Sequence, residues 1–208
     1  MTKASPEGTV FVVDDDASFR TSVSRLLRAA GHQVQAFASA SDLLQGLPAT
    51  GSGCVVADLQ MPGLSGLELQ AALAESGNPL PVLFLTGHGD IPTSVTAMRL
   101  GAEDFLTKLA PKKVLLEAVS RALARDARER AERARGQAAR ARFETLTERE
   151  REVLEHVLRG QLNKQIAGDL GIHERTVKLH RTAITNKVGV QSVAELTQLW
   201  LLAFPKGQ

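Results

Sequence analysis

Through the first 119 residues, short apolar runs alternate with segments whose apolar positions recur at helical spacing. Uninterrupted apolar runs bounded by turn residues suit strands covered on both faces, the pattern of a parallel sheet between helices. Five runs qualify: 10–13, 33–37, 54–57, 82–85 and 104–107. Helices are expected between them at 18–30, 41–46, 66–75 and 92–100, with a fifth starting near Lys112. Gly31 and Gly101 stand where helix ends want a left-handed residue, and Asp90 before Pro92 reads as a cap and first-turn pair.

The pattern then changes. Residues 120–142 are mostly Ala, Arg and Glu, which favour helix but offer it little to bury. They are expected to form an exposed helical linker that continues the fifth helix and breaks at Gly136. Residues 143–208 lack strand-like alternation and read as four short helices at 148–158, 164–170, 174–187 and 193–203. Thr147 with Glu150, and Ser192 with Glu195, have capping-box spacing. The expected domains are therefore 8–119 and 143–208, joined by 120–142.

Composition sharpens this division. The 43% hydrophobic content excludes a wholly disordered chain. The overall charge is only +2, but it is segregated: net −4 over 1–119, +5 over 120–142 and +1 over 143–208. The single cysteine, Cys54, lies in an apolar run, which excludes an internal disulfide and any cysteine metal cluster. No apolar stretch reaches the roughly 20 residues of a membrane span, and the start lacks a signal-peptide core, so a cytoplasmic protein is expected.

Chemistry gathers where strands end. Four of the five runs lead into polar groups: Asp14, Asp15 and Asp16 after the first, Asp58 after the third, Thr86 after the fourth and Lys108 after the fifth. Ligands of open parallel sheets bind at this edge. With strand order 2-1-3-4-5 the first and third strands are neighbours, and carboxylates roughly 5 Å apart repel by about 3 kcal/mol at an effective dielectric of 20. Oxygen ligands without His or Cys suit Mg²⁺, with Lys108 as a second positive charge beside a phosphoryl group. A simpler reading has Asp14 to Asp16 capping the first helix.

These residues carry a resemblance. VVDDD, DLQMPGLSG, FLTGHGD and AEDFLTK resemble the receiver domain of two-component response regulators of the FixJ type, over residues 8–125. The resemblance implies a flavodoxin-like α/β doubly wound fold of order 2-1-3-4-5. It implies that Asp58 accepts a phosphoryl group from a sensor histidine kinase, with Asp14, Asp15, Asp58 and the Gln60 backbone carbonyl around Mg²⁺. Thr86 and Phe105 would be the switch residues, and the face of the fourth helix and fifth strand would pair two copies into a homodimer. Beyond slow self-dephosphorylation, no enzyme activity is implied. One position departs: the family usually follows the lysine with proline, and here Leu109 follows Lys108. A cis bond there would cost roughly 2.5 to 4 kcal/mol, so a trans bond and a reshaped loop are expected, which bears on where Lys108 points.

Residues 164–170, a glycine turn at Gly171 and 174–187 have helix-turn-helix proportions, with Val177, Ile184 and Val188 as the buried stripe of the second helix. A solvated charged helix is the plain alternative, since the segment is only +1. LTERE, NKQIA and TVKLH resemble the LuxR-type output domain. By that resemblance Lys178, Leu179 and Thr182 would face bases, while Lys164, Thr176, His180, Arg181 and Lys187 would lie near the backbone of promoter DNA. Leu196, Leu199, Trp200 and Leu201 either close the small core or add dimer contacts. Two other readings stay open: a phosphate-independent receiver, and a haloacid-dehalogenase-type phosphatase with Asp14 as nucleophile and Asp16 as general acid.

Overall fold

The structure, a computed structural model, describes residues 8–48, 51–77, 79–87 and 91–205. The chain divides into two compact units, Met1–Arg130 and Ala131–Gln208. In the first, strands β1 (Thr9–Val13), β2 (Gln33–Phe37), β3 (Gly53–Ala57), β4 (Val82–Thr86) and β5 (Asp104–Thr107) form one parallel sheet of order 2-1-3-4-5. Helices α1 (Ala17–Ala29), α2 (Ala40–Gly46), α3 (Gly66–Glu75) and α4 (Ile91–Arg99) connect them, and α5 (Lys112–Glu144) follows the last strand. The expected cap Asp90 lies outside the described residues. Gly31 and Gly101 do take positive φ after α1 and α4.

The central strands β1, β3 and β4 are buried on both faces, and their residues alternate between them. Phe11, Val13, Val55, Ala57 and Phe84 pack with Leu43, Leu69, Leu73 and Ala97 of α2 to α4. Val10, Val12, Cys54, Val56, Leu83 and Leu85 pack with Val23 and Leu27 of α1 and with Leu115, Val119 and Leu123 of α5. This two-sided burial is why β1, β3 and β4 lack polar alternation, whereas the edge strand β2 keeps exposed Gln33 and Gln35. Glycine is required at Gly53, where an added Cβ would stand 1.8 Å from the Thr9 carbonyl oxygen. The Gly53 N–H donates to Asp126 Oδ2 at 2.8 Å, and the same buried carboxylate accepts from Arg130 Nε, which closes the lower edge of β3 against α5.

The expected continuation of the fifth helix through 120–142 is observed and most of these residues are exposed, but a few positions depart from the expectation. Ala122, Leu123, Asp126 and Ala139 are buried, because small or ion-paired residues on one stripe of α5 are enough for close helix packing. Nor does Gly136 break the helix, which runs continuously over 33 residues. A Cβ at Gly136 would lie 3.3 Å from the Leu202 carbonyl oxygen, so its smallness serves a close approach instead.

The second unit holds the end of α5 and helices α6 (Glu148–Leu158), α7 (Asn163–Leu170), α8 (Glu174–Val188) and α9 (Val193–Ala203). Its core joins Phe143, Leu154, Ile166, Val177, Ile184, Val188 and Leu196, with Leu199, Trp200 and Phe204 packed against it. Leu201 is exposed. The capping box of Thr147 and Glu150 is complete. Ser192 accepts from the Glu195 N–H, but Glu195 returns its carboxylate to the Gln191 N–H rather than to Ser192. Among the described residues no helix is long and apolar enough to cross a membrane.

Candidate functional site: an acid pocket and a helix-turn-helix face

The pairing of β1 with β3 brings Val13 beside Ala57, so the residues after each strand emerge side by side. Asp14, Asp15 and Asp58 each offer a carboxylate oxygen, and these atoms lie within 4.8 Å of one another. Asp14 and Asp58 are buried, whereas Asp15 is exposed. Lys108 reaches in from the end of β5 and sets its Nζ 2.7 Å from both Asp14 Oδ2 and Asp58 Oδ2. The Lys108 N–H donates to the Thr86 carbonyl at 2.8 Å, which fixes the start of the loop.

The lysine is therefore aimed into the pocket despite Leu109. The peptide bond between them is trans, as expected, and Leu109 is 94% exposed. Burial raises the Asp14 carboxyl above its ordinary range, against the opposing pull of Lys108 and of the Asp16 N–H. Burial alone would lower the Lys108 ammonium, but its hydrogen bonds to Asp14 and Asp58 outweigh that, and the net direction is upward. The ammonium stays charged.

The acidic run divides its labour. Asp16 accepts from the Ser18 and Phe19 N–H groups as the N-cap of α1, so the capping expectation holds for that residue alone. The same bonds hold its carboxyl below the ordinary range. Thr86 is buried at the end of β4. Phe105, half-buried, faces Phe84 with ring centroids 6.2 Å apart. Gln60 is exposed, and its N–H donates to Asp58 Oδ1 at 3.3 Å. Sequence reasoning passed over two neighbours. The Phe19 ring lies beneath Lys108, and Arg20 donates to the Asp14 carbonyl.

Among the described residues three carboxylates converge with no nitrogen or sulfur ligand, a set that fits a small hard divalent cation such as Mg²⁺. When bound, such an ion would neutralise charge on a phosphoryl oxygen.

In the second unit, α7 ends at Gly171, in the left-handed region with φ 64°, and α8 begins after His173. Val177, Ile184 and Val188 are buried, as the spacing predicted. Lys164, Lys178, Thr182 and Leu179 are exposed, the last at 64%, while Thr176, His180 and Arg181 are half-buried. Arg181 Nη1 donates to Asn163 Oδ1 at 3.0 Å, joining the two helices. Lys187 is engaged within the unit, its Nζ 2.8 Å from the buried Glu150 Oε2. That bond holds the Glu150 carboxyl below its ordinary range despite burial, helped by Thr147. Leu162, 70% exposed before α7, gave no signal because a lone leucine in a polar stretch reads as core.

Comparison with known proteins agrees with this geometry. Residues 10–120 match the response regulator receiver domain family, and residues 144–200 match the luxR family of bacterial regulatory proteins. Nodulation protein W of Bradyrhizobium diazoefficiens is 42% identical over 198 residues, covering 95% of this chain and 87% of that protein. The transcriptional regulatory protein FixJ of the same organism is 39% identical over 95% of this chain and 96% of its own. The solved structure of the response regulator StyR superposes with a TM-score of 0.81 at 46% identity, over 93% of this chain and 98% of that one. The chain belongs to the response regulator family, with a receiver domain followed by a LuxR-type helix-turn-helix domain.

Proposed function

We propose that this protein is a transcriptional regulator switched by phosphorylation of Asp58 from a sensor histidine kinase. The reading rests on one observation: the Lys108 ammonium sits 2.7 Å from both Asp14 and Asp58, inside a group of three carboxylates at the carboxyl edge of the sheet. An Asp58 oxygen attacks the phosphorus of a phosphohistidine, a P–O bond forms as the P–N bond breaks, and the leaving imidazole keeps the electron pair and takes up a proton. Carboxylates are weak nucleophiles, and such transfers depend on positioning and charge neutralisation. Lys108 supplies both at the Asp58 side chain. Asp14, Asp15, Asp58 and the Gln60 carbonyl would hold Mg²⁺. The Thr86 hydroxyl then turns to the new dianion, and Phe105 moves into the space vacated.

The output domain binds double-stranded promoter DNA as a homodimer formed on phosphorylation, since one small domain makes few phosphate contacts. Lys178, Leu179 and Thr182 face base edges. Lys164, Thr176, His180 and Arg181 approach the backbone, and Lys187 reaches phosphate only by sharing its ammonium with Glu150. The protein works in the cytoplasm, where the kinase's transmitter and the DNA are both available.

The test treats the full chain with acetyl phosphate and Mg²⁺ and locates the label by mass spectrometry. Affinity for duplexes selected from a random pool is then measured at stated salt for wild type and Asp58→Asn. A label on Asp58 and tighter binding of the labelled wild type alone are expected. A label on Asp14, or equal affinity in every condition, would overturn the proposal.

A further inference from the structure

We propose that Phe19 is a positioning residue for Lys108, its ring holding the ammonium over the acid pocket from the α1 side; this rests on the phosphorylation reading above. The sequence builds the arrangement locally. Asp16 donates its N–H to Asp14 Oδ1 at 2.9 Å, and its own carboxylate accepts the Phe19 N–H at 3.2 Å. The acidic run thereby sets the first turn of α1 and with it the place of the Phe19 ring. Lys108 Nζ lies 4.4 Å from that ring's centroid.

An ammonium has three N–H donors. Two go to Asp14 and Asp58, and the aromatic face attracts the charge from another side. Nothing equivalent comes from the next residue, because Leu109 is 94% exposed and gives the loop no buried anchor. Phe19 is only half-buried, at the edge of the core that joins α1 and α5, and it walls a recess with Leu26, Leu85 and Leu115. Its ring can therefore be changed without emptying the centre of the domain. The attraction to a ring face is lost with an aliphatic side chain and kept with another aromatic one. Packing would also favour the aromatic replacement, so dependence of the effect on Lys108 is what separates the two causes.

The experiment measures acetyl-phosphate labelling of the full chain across donor and Mg²⁺ concentrations for Phe19→Leu, Phe19→Met and Phe19→Tyr. Each is also made in a Lys108→Met background. Phe19→Leu and Phe19→Met are expected to lower the maximal labelling rate roughly fivefold, which is about 1 kcal/mol at ~1.36 kcal/mol per decade, with the Mg²⁺ dependence unchanged. Phe19→Tyr should label like wild type. In the Lys108→Met background Phe19→Leu should have no further effect, because the group it positions is gone. Equal rates for wild type and Phe19→Leu, or the same fivefold loss with and without Lys108, would overturn the inference. A wild type that takes up no label would instead overturn the phosphorylation reading itself.

Discussion

Replacing Asp14 by Asn should leave the metal-free protein at least as stable as wild type. The Lys108 nitrogen at 2.7 Å attracts the Asp14 carboxylate by about 6 kcal/mol at an effective dielectric of 20. Oxygens of Asp58 and Asp15 within 4.8 Å each repel it by about 3.5 kcal/mol on the same basis, the share of exposed Asp15 being reduced by solvent. Attraction and repulsion nearly cancel, and burial then counts against the ion. The raised pKa of Asp14 says the same. A carboxyl that holds its proton more tightly folded than unfolded loses stability as pH rises through that window, so at neutral pH its ionised form is a net cost to the fold. Asn removes the charge and keeps an oxygen for the Asp16 N–H. Urea melts in EDTA should place the variant within about 1 kcal/mol of wild type, on the stabilised side. In Mg²⁺ at a hundredfold excess over its Kd, wild type should gain about 2.7 kcal/mol and the variant much less. A loss of more than about 2 kcal/mol in EDTA with unchanged m would refute the balance, since the ion pair would then outweigh the repulsion.

Four further outcomes are expected. Gly53→Ala drives a Cβ into the Thr9 carbonyl and should lower the unfolding free energy from urea melts of the full chain by several kcal/mol, among the largest effects of any single substitution. Asp126→Asn, which leaves Arg130 partly unpaired at a buried site, should cost about 3 kcal/mol by the same melt, and a change under 0.5 kcal/mol would contradict the burial argument. In the second unit the Glu150 carboxyl is held below its ordinary 4.5, so it adds stability above that value which is lost as pH falls through the lower folded pKa; Trp200 fluorescence melts should show this acid limb flattened in Glu150→Gln. Lys178→Ala should relax base preference in selected duplexes, whereas Arg181→Ala should weaken all duplexes alike.

How far these sites were legible in the sequence depends on what each residue answers to. The strand ends were readable because two-sided burial makes the runs of β1 and β3 apolar throughout, and Asp14, Asp15 and Asp58 follow those runs directly. Within 120–142, a mostly exposed helix as expected, the buried positions Ala122, Asp126 and Ala139 were not legible, because small residues and a paired aspartate carry no hydrophobic signal. Lys187 was expected near the DNA backbone, and its pairing with Glu150 was not legible, since Glu150 lies 37 residues away and already explained itself as a cap. Phe19 was hidden for a similar reason: a single aromatic on an amphipathic helix looks like packing, and its relation to Lys108 exists only after β5 is placed.

Cys54, the chain's sole cysteine, lies on β3 with no exposed surface, and burial drives its thiol far up from the ordinary range. Thiol reagents should therefore react only with molecules that have transiently opened around the central strand. The fold thus carries its own clock: the slow phase of alkylation at Cys54 reports how often the receiver breathes, and its change on adding Mg²⁺ or a phosphodonor would measure tightening without any engineered label.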